Sequence, residues 1–96
     1  MEFAVAFGRV IRKLRIEQLI TQSEVGVRAS MQAKSVSSLE MGRHAPSIDN
    51  LIRLARALSI APWDLLRLAL EETDLPDPGP PVRDPVLKNT KNTQRT

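Results

Sequence analysis

The 96-residue chain contains no cysteine, no tyrosine and only one histidine. Without cysteine there are no disulfides, no thiolate metal sites and no Cys nucleophile, and a single imidazole cannot supply a zinc cluster. Aromatics are scarce too, with two Phe and one Trp. A hydrophobic content of 42% therefore leaves the core to Leu, Ile, Val and Ala, which suits packed helices. No apolar run approaches the ~18 residues of a spanning helix. The N-terminus shows no basic region followed by a hydrophobic stretch, so no secretory signal is visible. A cytoplasmic protein with no membrane partner is the default expectation. The sequence offers no nucleophile–base pair, no metal set and no phosphate-cradling glycine loop, which argues against an enzyme and against a cofactor. The length suits one small domain.

The net charge of +3 is modest. Residues 1–72 carry ten Lys/Arg against eight Asp/Glu, and residues 73–96 carry four against three. That balance by itself implies no polyanionic partner; the placement of the cations decides.

Five helical segments are expected, at about 3–16, 21–29, 33–41, 47–58 and 62–72. In the first, Phe3, Phe7, Val10, Ile11 and Leu14 recur with helical spacing. Arg9, Arg12 and Lys13 lie off that stripe and Arg15 at its edge. The run Thr21-Gln22-Ser23-Glu24 is a capping box that opens the second helix, with Val25 and Ala29 inward. Gly42 stops the third. Ser47 caps the fourth, whose expected stripe is Ile48, Leu51, Ile52, Ala55 and Leu58. Pro62 fits the first turn of the fifth. This last helix is apolar nearly all round, so one face should meet a partner once the other has met the core. Five prolines between 76 and 85 and a polar end then read as a disordered tail over 73–96.

The third helix has an unusual composition. Ala33, Val36, Leu39 and Glu40 fall on one side, and Lys34, Ser37, Ser38 and Met41 on the other. A carboxylate on the apolar side is costly unless paired. Arg15, flanking the stripe of the first helix, is a candidate partner; two solvated charges are the alternative.

Taken together, TQSEV at 21–25, SVSSLEMGR at 35–43, Pro46-Ser47 and LIRLARAL at 51–58 resemble the phage repressor and Cro type of helix-turn-helix domain, also called xenobiotic-response-element-like. The resemblance runs from about Phe7 to Leu70. It implies an all-α, five-helix bundle of the lambda-repressor-like type and a prokaryotic or phage and mobile-element origin. It also implies that the third helix lies in the major groove of double-stranded DNA. By correspondence, Gln32, Ala33, Lys34, Ser37 and Ser38 face the bases, with Gln32 suited to adenine and Lys34 to guanine. Gln32 could instead stand in as the N-cap of that helix. Gln22 and Arg43 are expected on phosphate, and the Arg15–Glu40 pair matches a family feature. Met41 reads as surface filler and His44 as an inert loop residue. Three positions where the family commonly carries Gly hold Leu19, Ser30 and Ser59, and Gly26 stands where Ala is usual. These departures bear on the angle between the second and third helices.

One short helix reads too few base pairs for a unique site, so a homodimer on an inverted repeat is expected. Trp63, Leu66, Leu68 and Leu70 are the candidate dimer residues, divided between core and partner, although packing alone would also explain Trp63. Repression would be steric. The competing function is an antitoxin that binds a toxin protein, or another regulator as partner, and represses its own operon. The tail could brush phosphates with its last three cations, fray, or fold on a partner.

Overall fold

A computed structural model describes residues 1–74. Apart from Thr73 and Asp74, the expected tail lies outside the described residues. These residues form five helices and no strand: α1 (Phe3–Glu17), α2 (Gln22–Ala29), α3 (Ala33–Glu40), α4 (Ile48–Ala57) and α5 (Pro62–Glu71). Every expected element is present, with ends shifted by a residue or so. The caps are those the residue types dictate. Thr21 Oγ1 accepts the Glu24 amide at 3.0 Å, and Glu24 Oε1 accepts the Thr21 amide at 2.9 Å. Ser47 Oγ accepts the Asn50 amide at 3.0 Å, and Pro62 opens α5, where its missing N–H costs nothing.

Helix α1 packs on α3 and α5, and α4 packs on α2 and α5, so the core is enclosed by all five. Phe7, Ile11, Val25, Val36, Leu39, Leu54, Leu58 and Leu65 are fully buried within it. Two details correct the expected α4 stripe. Ile48 is 73% exposed, whereas Leu54 and Ala57 are buried. Because α4 lies between α2 and α5, its buried arc is rotated toward Leu54 and Ala57, and the first-turn Ile48 projects past its neighbours. The C-terminus of α4 is closed by two side chains, one from the residue that caps α1 and one from α2. Gln18 Nε2 donates to the Leu58 carbonyl at 2.8 Å, and Arg28 donates to the Ala57 carbonyl at 3.4 Å.

The helix ends share one device. Each of α1 to α4 finishes with a left-handed residue: Leu19 (φ 60°), Ser30 (φ 56°), Gly42 (φ 72°) and Ser59 (φ 58°). The next amide then reaches back five residues, from Ile20 to Arg15, Met31 to Gly26, Arg43 to Ser38 and Ile60 to Ala55. This is the Schellman closure. It also explains why three non-glycine residues accept the strain. The reversal returns Ile20, Met31 and Ile60 to the core, where each packs partly buried. A left-handed L-residue costs about 1–2 kcal/mol, against about 0.5–1 kcal/mol of extra chain entropy for glycine. Ser59→Gly, in an exposed turn, is therefore expected to raise stability by about 0.5–1 kcal/mol. Thermal unfolding would then show a midpoint a few degrees higher.

Candidate nucleic-acid interface

Helix α3 presents the small face that its sequence specifies. Val36 and Leu39 are buried, Gln32 and Lys34 are exposed, and Ala33, Ser37 and Ser38 are half-buried. Gln32 occupies the N-cap position but makes no side-chain capping bond, so its amide is not committed to the helix start. Arg43 and His44 are exposed in the loop after Gly42, and Met41 is exposed beside them. The His44 ring approaches the neighbouring Ala45 carbonyl at 3.2 Å.

Behind that face, Arg15 and Glu40 form a bidentate pair. Arg15 Nε donates to Glu40 Oε2 at 2.6 Å and Nη2 to Oε1 at 3.0 Å. Their side chains are only 15% and 4% exposed. The remaining guanidinium nitrogen, Nη1, donates to the Ile20 carbonyl at 3.0 Å, and Gln22 Nε2 donates to Glu40 Oε1 at 3.0 Å. The ion pair thus ties the C-terminal halves of α1 and α3 together, Arg15 reaching the turn before α2 and Glu40 the first residue of α2. The bond to Glu40 holds the Arg15 pKa above its ordinary value, against the opposing pull of burial.

The Gln22 contact is one that the sequence reading missed. Gln22 is expected on phosphate together with the open amides at the start of α2; its side-chain amide also reaches Glu40 and completes the clasp. The amides of Gln22 and Ser23, left open by the capping box, remain without a bonded partner among the described residues. They border a shallow hollow lined by Arg15, Leu19, Ile20, Thr21, Gln22, Ser23 and Ala33. Open amides at a helix start are a ready site for an anion.

Gly26 lets α3 approach. A Cβ there would stand 2.6 Å from the Met31 carbonyl oxygen and 3.4 Å from the Ala33 amide nitrogen. The ~1 kcal/mol that glycine costs in a helix is thus the condition for bringing the start of α3 against α2. On α5, Leu65 and Ala69 are buried, and Leu68 turns inward beside Val10 and Leu14. That leaves Trp63 (74% exposed), Leu66 and Leu70 as a continuous outward stripe.

No helix among the described residues is long and apolar enough to cross a membrane. The Helix-turn-helix family model matches residues 11–62. The uncharacterised HTH-type transcriptional regulator y4dJ of Sinorhizobium fredii is 35% identical over 66 residues, covering 69% of this chain and 86% of that protein. The control protein C.BamHI of Bacillus amyloliquefaciens is 28% identical over 61 residues, or 62% of this chain and 75% of its own. Among solved structures, the restriction-modification controller protein C.AhdI of Aeromonas hydrophila superposes with a TM-score of 0.62 at 31% identity, over 65% of this chain and 94% of that one. These relatives are regulators and controller proteins rather than enzymes. Five helices in this order, an α3 braced from behind with a small outward face, and a family match from the middle of α1 to the first residue of α5 converge: the chain belongs to the helix-turn-helix family of DNA-binding transcription regulators, of the xenobiotic-response-element type.

Proposed function

We propose that the protein is a sequence-specific regulator that binds double-stranded DNA as a homodimer on an inverted repeat and represses by occupying promoter DNA. The observation that carries this reading is the small outer face of α3, on which Lys34 is the one charge, held from behind by the Arg15–Glu40–Gln22 clasp. Small Ser37 and Ser38 allow the helix to enter the major groove closely. Gln32 and Lys34, both exposed at its leading end, have the reach and donors to read adenine and guanine edges, and Ala33 suits a thymine methyl. The open amides of Gln22 and Ser23 would hold one phosphate, and Arg43 another. In the dimer, the Trp63, Leu66 and Leu70 stripe supplies a self-complementary patch, with half-site centres about 34 Å apart. Kinship with two controller proteins supports a regulator built on this domain.

Selection of bound duplexes from a random pool, at stated salt, tests the reading. A palindromic motif is the expected outcome, and enrichment of no motif would sink it. Against the selected site, Lys34→Ala should cost about 1–3 kcal/mol and relax preference at one base position, whereas Arg43→Ala should weaken all sequences alike and lower the salt slope by about 1. Equal losses on selected and random duplex for both variants would remove Lys34 from the readers.

A further inference from the structure

We infer that Leu19 is a DNA-backbone contact, its side chain resting on the deoxyribose face of the strand whose phosphate sits at the start of α2. The inference deepens the regulator reading and rests on it. Leu19 combines two unfavourable features at one position. It is left-handed at φ 60°, and its apolar side chain is 90% exposed. Glycine would make the same turn at lower cost. The other strained residues, Ser30 and Ser59, are small and polar and carry the backbone strain alone. Leu19 adds an exposed hydrophobe and contributes nothing to the core. The return of Ile20 to the core accounts for the turn itself, whatever residue makes it; the leucine side chain, exposed and more strained than glycine would be, is what that packing leaves unexplained.

Position gives that function its direction. Leu19 lines the hollow that also contains Thr21, Gln22, Ser23 and Ala33, so it shares one surface with the open α2 amides and the start of the reading helix. The turn that carries it is stiff. The Leu19 amide donates to the Ile16 carbonyl at 3.0 Å and the Ile20 amide to the Arg15 carbonyl at 3.3 Å. Arg15 Nη1 returns a bond to the Ile20 carbonyl at 3.0 Å, and Gln18 anchors the end of α1 to the Leu58 carbonyl at 2.8 Å. The side chain is thus presented from a fixed platform and loses little freedom on contact. An isobutyl group has no donor for phosphate. A strand whose phosphate rests on the Gln22 and Ser23 amides presents its sugar C–H surface alongside, and that is the surface Leu19 matches. Such a contact is apolar, independent of sequence and insensitive to salt.

The test uses Leu19→Gly and Leu19→Asn, both compatible with the left-handed turn, in thermal unfolding and in duplex titrations over a salt series. Both variants should unfold at a temperature equal to or above that of the wild type. Affinity should nevertheless fall about threefold to tenfold, the partial loss of one buried aliphatic side chain. The fall should be the same on selected and random duplex, with an unchanged slope against log salt. Unchanged or improved affinity would make Leu19 a strained surface residue only. A loss confined to one base position, or one that lowers the salt slope, would equally overturn the sugar contact. Tight wild-type binding to the selected site in the same titrations keeps the regulator reading standing whatever Leu19 does, and its absence would sink both.

Discussion

Replacing Glu40 by Gln is expected to lower the unfolding free energy by about 3–5 kcal/mol, the usual cost of leaving one partner of a buried pair uncompensated. Both carboxylate oxygens are in use. Oε2 accepts from Arg15 Nε, and Oε1 accepts from Arg15 Nη2 and from Gln22 Nε2. A glutamine offers one oxygen, so its NH2 must face an N–H of the guanidinium, donor against donor. Arg15 would then keep its charge in a nearly closed site with two neutral acceptors, the Ile20 carbonyl and the glutamine oxygen, in place of a carboxylate. A domain of this size holds roughly 0.05–0.15 kcal/mol per residue, so the loss would consume much of its stability. The double variant Arg15→Met, Glu40→Leu removes both charges and is expected to recover most of that loss, because apolar replacement of a buried pair is often neutral or better. Urea unfolding of the two variants distinguishes a clasp from a screened surface pair. In the latter case Glu40→Gln would barely move the midpoint. The pair should also hold across ordinary pH on the arginine side. The Arg15 pKa is raised in the folded state, so its contribution is complete below the unfolded value and is lost only as pH climbs through the raised one.

Much of this was legible from residue types alone, and the reasons are physical. Glu40 stands on the apolar side of α3 and Arg15 at the edge of the α1 stripe; residue types made them candidate partners and left two solvated charges open, and the family resemblance favoured the pair. The capping box and Ser47 announced two helix starts because their side chains answer amides that nothing else can reach. Ile48 misled, because a periodic stripe gives the helix face but not which neighbours flank it. The packing of α4 between α2 and α5 rotates the buried arc, and only tertiary contacts reveal that. The near-uniform apolarity of α5 hid its division for the same reason: Leu68 goes to the groove beside α1, whereas Trp63, Leu66 and Leu70 stay outside. Leu19, Ser30 and Ser59 were recognisable as departures from glycine, but whether the turns survived was not. The missing signal lay one residue later. Ile20, Met31 and Ile60 must return to the core, and a left-handed residue before each is what turns the chain back. Gln22 was read as a phosphate contact because a helix start suggests an anion; the carboxylate it meets belongs to a helix eighteen residues on.

Gly8→Ala should be the most disruptive single methyl that can be added to the core. In a free helix the change would help by about 1 kcal/mol. Here Gly8 is where α1 crosses the end of α3. A Cβ would lie 2.6 Å from the Glu40 carbonyl oxygen and 2.9 Å from its carbonyl carbon, and closer still to the Leu39 carbonyl oxygen. All three obstacles are backbone, so no rotamer change relieves them, and the helices must separate. Separation is resisted on both sides of the crossing. Phe7 and Ile11 are locked in the core, and Gly42 faces Val5 so closely that a Cβ on it would stand 2.9 Å from the Val5 Cα. Overpacking typically costs about 1–3 kcal/mol and sometimes more. With the Arg15–Glu40 geometry strained as well, the net loss should reach about 3 kcal/mol despite the propensity gain. Coupling identifies the cause. If Gly8→Ala acts by moving α3 away from Arg15, its cost should shrink in the Arg15→Met, Glu40→Leu background by more than the ~0.5 kcal/mol scatter of independent sites. Strict additivity would show that the crossing and the clasp are separate supports of the reading helix.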